Sequence, residues 1–330
     1  MSATGGGVDG VLHEWGARLF YGKVKPKGGP DESPLKPALQ GAQANSKPIR
    51  AHIRSVVSPG GKQVMVKITG GGRGMAAIKA HMRYISRQGK DEVGGPGETL
   101  ELEDENGQVL KGKEAMAELA QDWRVAGTYI HDDSPRKEAF NIILSMPEGT
   151  PAEAVLGAAR DFARETFEGH KYVFVLHTDT GKPHVHLAVR TERSDGIRLN
   201  PRKADLQRWR ERFAARLQDR GINALATPAR ARGATRSSQP TWRTKSAQRV
   251  RRPKAALRSG PGHDRSRAEA LQAWSEIQSA LKGSPDAADR ELGKEVEQYM
   301  RQAFADVGGR TDRMPDSERG APGGSGGRER

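Results

Sequence analysis

Three of the nine histidines in this 330-residue chain lie close together, at His177, His184 and His186. The flanking residues 171–176 and 187–189 are mostly aromatic, β-branched or aliphatic, and turn-forming residues separate them, so we predict two strands joined by a hairpin loop. Side chains alternate along a strand, which puts His184 and His186 on one face, and His177 on the facing strand can complete the group. Three neutral imidazoles can bind one divalent metal ion and leave coordination positions open, which suits catalysis.

The histidine pattern also has a simpler explanation, because a His-x-His pair on a strand can be two imidazoles on a polar face. The third histidine, across a tight turn, favours the metal site. Asp179 lies in that turn and is a further candidate catalytic residue. It could orient an imidazole N–H, or it could cap its own turn backbone, and the sequence leaves both roles open.

A tyrosine is the candidate nucleophile. The chain has no cysteine, so a nucleophile must be water, Ser, Thr or Tyr. Tyr84 lies at the edge of the apolar face of a predicted helix, with Arg83 and Arg87 as neighbours. Nearby cations and a metal ion would favour its phenolate form. The alternative is a half-buried tyrosine that only packs its ring, and Arg87 itself is either a phosphate contact or ordinary surface charge.

The composition indicates a basic protein with a globular core in only part of its length. Hydrophobic residues make up 35%, the mean hydropathy is −0.76 and the net charge is +14. No acidic residue lies between Asp219 and Asp264, a stretch that is either a solvated linker or a salt-sensitive contact to nucleic acid. We find no long apolar run and no secretory signal, so we expect no membrane insertion and a cytoplasmic location.

The remaining patterns predict the elements that must position these residues. Strands are predicted at 63–69 and 139–146, a helix at about 75–88, and a hairpin around Asn106-Gly107. Helices should begin near 151 and 201. This order predicts an α+β domain with a central antiparallel sheet flanked by helices. The predicted organisation is a flexible arm (1–60), the catalytic domain (61–228), a basic linker (229–265), a small helical segment (266–307) and a disordered tail (308–330).

Three segments resemble the P-type mobilisation relaxases, the class that includes the border endonuclease of T-DNA transfer. They are Tyr84-Ile-Ser-Arg-Gln-Gly after an alanine-rich helix, the strand and turn at 142–150, and the histidine motif at 177–186. They occur in the family's order, and the resemblance covers about 63–233. Asn141 stands where some relatives have a histidine, and Lys182 replaces a fourth histidine of the border endonuclease class; neither change removes one of the three histidines.

The resemblance implies the His-hydrophobic-His endonuclease relaxase fold, with Tyr84 as the nucleophile. It also implies Mg²⁺ or Mn²⁺ at His177, His184 and His186, and an acidic role for Asp179. The implied function is nicking of single-stranded DNA at a transfer origin through a 5′-phosphotyrosyl intermediate during conjugative mobilisation of a plasmid. The implied partners are accessory mobilisation proteins and a type IV secretion coupling protein, with possible export from the bacterial cytoplasm on the transferred strand.

Two other functions remain open on the sequence. A rolling-circle replication initiator uses the same cluster, but its tyrosine normally follows the histidines, and Tyr299 is the only tyrosine in that position. A non-catalytic DNA-binding accessory protein would need the basic stretch, yet it would have no reason to place three histidines around a turn.

Overall fold

The computed structural model describes residues 7–20, 46–58, 60–87, 100–229, 231–232 and 261–304. The chain divides into two compact units, Met1–Arg232 and Gly233–Arg330. Most of the basic linker predicted at 229–265, and all of the tail predicted at 308–330, lie outside the described residues.

The first unit is built on a six-stranded antiparallel sheet with the strand order β2-β5-β7-β6-β3-β4. A separate parallel pair joins β1 to β8. The strands are β1 (Lys62–Gln63), β2 (Met65–Gly70), β3 (Leu102–Asp104), β4 (Val109–Leu110), β5 (Ala139–Ser145), β6 (Tyr172–His177), β7 (His184–Arg190) and β8 (Ala224–Leu225). The predicted α+β class with a central antiparallel sheet flanked by helices is confirmed.

The described residues of this unit contain six helices. They are α1 (Val8–Phe20), α2 (Lys47–Val57), α3 (Met75–Ile85), α4 (Gly112–Val125), α5 (Ala152–Thr166) and α6 (Lys203–Gln218). Helices α5 and α6 pack on one face of the sheet, and α3 and α4 contribute to the core on the other. The sheet is therefore the middle of three layers.

The alternation along β7 decides which face carries the histidines. Val185, Leu187 and Val189 are buried in the core with α5 and α6, where each such side chain contributes about 1.5–3 kcal/mol. The residues between them must point the other way. His184 and His186 therefore lie on the face that α3 partly covers, and a one-residue slip in register would bury both imidazoles in the aliphatic core.

The prediction of a flexible arm at 1–60 must be corrected, because helices α1 and α2 occupy much of this segment. The two helices contact each other, the ring of Phe20 packs edge-on against His52 with centroids 4.2 Å apart, and Gly16 lets Ile49 approach closely. Apolar side chains at helical spacing are buried on both helices: Leu12, Leu19, Ile49, Ile53 and Val56. The prediction was wrong for these two helices because it relied on the Gly-, Pro- and Lys-rich composition of 21–45 and overlooked the short helical patterns on either side of that segment.

The second unit contains a helical hairpin, α7 (Pro261–Lys282) and α8 (Ala287–Ala303). Trp274, Ile277 and Leu281 of α7 are buried, as are Leu292 and Val296 of α8. The two helices lie where the sequence predicted a small helical segment at 266–307. Among the described residues, no helix has both the length and the apolar character needed to cross a bilayer.

Candidate functional site: a histidine cluster beside Tyr84

The hairpin of β6 and β7 brings together the three histidines that were predicted to form a cluster. His177, the last residue of β6, lies directly opposite His184, the first residue of β7. The ring of His177 is 4.5 Å from that of His186 and 5.3 Å from that of His184, measured between centroids. One nitrogen from each of the three imidazoles lies within 4.8 Å of the other two. This arrangement could hold a metal ion.

Backbone carbonyls determine which nitrogens of the cluster carry a hydrogen. Nε2 of His177 is 2.7 Å from the carbonyl oxygen of Ile85, and Nδ1 of His184 is 2.9 Å from that of Lys182. A carbonyl can only accept, so each of these nitrogens donates an N–H. The lone pairs are then on Nδ1 of His177 and Nε2 of His184. Imidazoles whose other nitrogen is fixed in this way match the usual second-sphere arrangement of metal-binding histidines.

Burial favours the neutral form of two of the imidazoles. It is the largest cause that lowers the pKa of His186 to about 3, and the positive charges of His177 and His184 contribute in the same direction. Burial is also the largest cause that lowers the pKa of His177, and the charge of Arg87 acts in the same direction. Only the neutral imidazole has a lone pair for a metal ion, so the donor set fits a divalent cation.

Tyr84 lies beside the cluster at the end of α3. Its ring meets that of His186 edge-on, with centroids 6.2 Å apart and an interplanar angle of 90°. The apolar face of α3, with Ile78, Met82 and Ile85, is buried in the core, and this turns Tyr84 outward until it is 59% exposed. The tyrosine is therefore not a core packing residue, and its phenol is open to a substrate.

Helix α3 ends at Ile85, three residues before the predicted end at about Gln88. The backbone then turns, and Arg87 adopts a φ of 51°, a left-handed conformation that is unusual for a residue other than glycine. This turn leaves the Ile85 carbonyl directed at His177. The helix that carries Tyr84 is thus hydrogen-bonded to the cluster.

Asp179 reaches the cluster through Arg87. Nη2 of Arg87 is 2.6 Å from Oδ1 of Asp179 and 3.2 Å from Nδ1 of His177. The sequence suggested direct contact between Asp179 and an imidazole, or a cap on its own turn. It did not foresee this bridge, because 92 residues separate Arg87 from Asp179 in the chain.

His81 is a residue of the site that sequence reasoning missed. Its ring stacks near Tyr84 at 6.2 Å with an interplanar angle of 27°, and burial lowers its pKa to about 4. The available signal was its spacing, because a residue three positions before Tyr84 on a helix lies on the neighbouring turn.

The sheet continues beyond the cluster as an open surface. Cross-strand pairing aligns His184 with Ser145 and Met65, and the next row aligns His186 with Ile143 and Lys67. Directly paired residues point to the same side of a sheet. Met65 is 48% exposed and Lys67 is also exposed, so the edge strand presents an apolar and a cationic side chain on the histidine face.

Comparisons with known proteins show which family this region resembles. Residues 91–222 match the model of the relaxase family, MobA/VirD2-like, nuclease domain, a range that contains the three histidines and begins after Tyr84. The T-DNA border endonuclease VirD2 of Rhizobium radiobacter is 31% identical over 144 residues, which cover 40% of this chain and 32% of the relative. The protein of the same name from Rhizobium rhizogenes is 30% identical over 144 residues, covering 40% of this chain and 31% of the relative.

The VirD2 protein of Agrobacterium fabrum (strain C58 / ATCC 33970) is 29% identical over the same length, again with 40% and 31% coverage. The chain thus spans about a third of the length of these curated relatives. Residues 91–222, which form most of the six-stranded antiparallel sheet, are therefore similar to the nuclease domain of the MobA/VirD2-like relaxases.

Proposed function

We propose that this protein is a metal-dependent relaxase that nicks single-stranded DNA at a transfer origin during conjugative mobilisation. The observation that carries the proposal is the exposed phenol of Tyr84 beside three imidazoles whose lone pairs can share one cation. A tyrosine in that place can attack a phosphodiester whose oxygens lie at the cation.

The reaction is a transfer of the phosphoryl group to tyrosine. Oη of Tyr84 attacks the scissile phosphorus, and its proton leaves to water. A bond forms between phosphorus and Oη as the bond to the 3′ oxygen breaks, and that oxygen takes a proton and becomes a free 3′-hydroxyl. The 5′ end stays on the enzyme as a phosphotyrosine ester. Because the ester keeps the energy of the original bond, the 3′-hydroxyl can later reverse the step and reseal the strand.

His177, His184 and His186 are the residues that would hold the cation. A bound Mg²⁺ or Mn²⁺ supplies a Lewis acid that polarises a non-bridging oxygen and stabilises negative charge in the transition state. The bonds from Ile85 and Lys182 keep two of the ligand rings in the required tautomers. Asp179 contributes by holding Arg87 beside the cluster.

The open histidine face suits a single strand of DNA. Lys67 is exposed and has no ion pair or hydrogen bond within the described part of the chain, so its ammonium group is available to a phosphate. Met65 next to it offers an apolar surface for a base. Flexible single strands are commonly bound by such a combination of cationic and apolar side chains on a sheet.

Similarity to relatives named T-DNA border endonucleases supports the wider setting of the proposal. We place the nicking reaction in the bacterial cytoplasm. Accessory mobilisation proteins would deliver the transfer origin, and a type IV secretion coupling protein would receive the protein with its covalently bound strand.

The test is a denaturing gel of the purified protein with single-stranded DNA from beside its own gene and Mg²⁺ or Mn²⁺. We expect a protein–DNA adduct that disappears with EDTA and in Tyr84→Phe. Tyr129→Phe is the matched control, because Tyr129 is another exposed tyrosine of the same unit, at 49% exposure. An adduct that survives Tyr84→Phe would refute the assigned nucleophile, and no adduct on any strand would refute the reaction.

The described part of the second unit, residues 261–304, offers no support for a rolling-circle initiator. Tyr299, the only tyrosine after the histidines, packs its ring against Trp274 with centroids 5.2 Å apart. The non-catalytic binding alternative is separated from the proposal by the same gel, since a pure binder would form no covalent adduct with either metal.

A further inference from the structure

Arg87 combines an unusual backbone with a central position in the site. Among the described residues it is the only one other than glycine with a positive φ. Residues held in such conformations often serve a functional site, because ordinary packing does not favour them. The turn directs the guanidinium group of Arg87 into the loop that follows β6.

The guanidinium group bridges a carboxylate and an imidazole. Nη2 of Arg87 lies 2.6 Å from Asp179 and 3.2 Å from Nδ1 of His177, and the side chains of Arg87 and Asp179 are only 20% and 23% exposed. Arginine is always protonated and can only donate. Nδ1 of His177 is therefore the acceptor in this contact.

The other nitrogen of His177 offers no alternative to a metal ion. Its N–H donates to the Ile85 carbonyl at 2.7 Å, so the only lone pair of the ring is the one that Arg87 contacts. One lone pair cannot serve a guanidinium hydrogen and a metal ion together. His184 has no such competitor, because its Nδ1 donates to Lys182 and its Nε2 lone pair stays available.

We propose that Arg87 competes with the divalent cation for Nδ1 of His177. Metal binding displaces the guanidinium group from the imidazole while Asp179 retains it, which leaves a positive charge beside the scissile phosphate. Arg87 is thus a positioning residue that lowers the metal affinity of the cluster and joins the end of the Tyr84 helix to the metal loop. This inference rests on the metal site of the proposed function.

Mn²⁺ binding to the full chain tests this proposal by isothermal titration without any DNA or turnover. Arg87→Gly suits the positive φ, and Arg87→Gln keeps a polar side chain of similar reach. We expect both variants to bind Mn²⁺ on the order of tenfold more tightly, because a charge-assisted hydrogen bond and a nearby positive charge are removed. Arg83→Gln is the matched control: Arg83 is exposed on the preceding turn, bonds to the Lys79 carbonyl, and should change the affinity less than twofold.

The titrations distinguish a failure of the Arg87 competition from a failure of the proposed metal site. If the wild-type protein binds Mn²⁺ and loses it in His184→Ala, but Arg87→Gly and Arg87→Gln bind equally or more weakly, the competition is refuted and the metal site stands. An equal gain in Arg83→Gln would also refute it, since the effect would then be general charge. If the wild-type protein binds no Mn²⁺, both ideas fail. Nitrogen NMR of His177 gives a second readout, with a proton expected on Nε2 in wild type.

Discussion

At the scale of single residues, the site depends on which nitrogen of each imidazole carries the hydrogen. A backbone carbonyl fixes this for His177 and for His184. Because a carbonyl oxygen can only accept a hydrogen bond, neither imidazole can flip by 180° without losing this hydrogen bond. Main-chain atoms thus preorganise two rings of the cluster, so under the proposed function the loss of any one ring should lower the affinity for a metal ion.

The first prediction concerns His184, the most accessible ring of the three. His184→Ala should weaken Mn²⁺ binding by roughly a hundredfold or more, because two imidazoles hold a divalent ion far less well than three. Isothermal titration measures the affinity, and the adduct gel should lose its product in parallel. His131→Ala is the control, because His131 contacts Tyr129 and is no part of the cluster. Unchanged Mn²⁺ affinity in His184→Ala would remove His184 from the ligand set.

Glu192 carries a second prediction at this scale, on stability. Its carboxylate is buried, accepts from the Thr128 N–H at 3.0 Å and pairs with Arg198 at 2.8 Å. Burial alone would raise its pKa, but the hydrogen bonds from Thr128 and Arg198 and the charge of Arg190 outweigh this and lower it to about 2. A depressed pKa gives stability that is present above the unfolded value near 4.5 and lost as the pH falls towards 2.

Glu192→Gln should therefore lower the free energy of unfolding at pH 7 by about 2 kcal/mol. It should also flatten the loss of stability between about pH 4.5 and 2. Urea unfolding at pH 7, 4 and 3 checks both effects. Glu101→Gln is the control, since Glu101 forms an exposed pair with Lys111 and should cost less than about 1 kcal/mol. An unchanged acid dependence in Glu192→Gln would contradict the assignment.

At the scale of elements, the hairpin of β6 and β7 was accessible to sequence reasoning and its connection to α3 was not. Alternation along a strand and a tight turn suffice to place His177, His184 and His186 together. The bond from Ile85 to His177 joins segments 92 residues apart. Local sequence patterns do not encode such a contact. They also predicted that α3 extends to about residue 88, whereas the helix ends at Ile85, before the turn that contains Arg87.

The edge strand β2 carries the third prediction. Lys67 lies on the histidine face, in the row of His186, and is exposed. Lys67→Ala should weaken single-stranded DNA binding by a few fold and lower the salt slope by about 0.7, the value for one phosphate contact. Fluorescence anisotropy at several salt concentrations measures both quantities.

Lys203→Ala is the control for charge alone, because Lys203 is exposed on α6, which packs on the opposite face of the sheet. Equal effects of Lys67→Ala and Lys203→Ala would mean that the protein binds DNA without regard to the face. The proposed path across β2 would then be wrong.

At the scale of the whole molecule, the chain carries a net charge of +14 that is unevenly spread along its sequence. The sequence from 233 to 260 contains eight cationic residues and no acidic residue. The cations are Arg236, Arg243, Lys245, Arg249, Arg251, Arg252, Lys254 and Arg258. The chemistry proposed here needs none of them. Their contribution should be to affinity, through release of counterions from the DNA backbone, which is independent of sequence and falls with salt.

The last prediction separates the chemistry of the histidine site from the DNA affinity that the basic run contributes. A fragment that ends at Arg232 retains the complete sheet, both of its cores and every residue of the site. We expect it to form the Tyr84 adduct at saturating DNA at the full-length rate, while its DNA affinity has a shallower dependence on salt. Each phosphate contact removed lowers the slope by about 0.7, so the loss of three contacts would lower it by about 2. A fragment with an unchanged slope would show that the basic run does not touch DNA; one that binds DNA but forms no adduct would place part of the chemistry beyond Arg232.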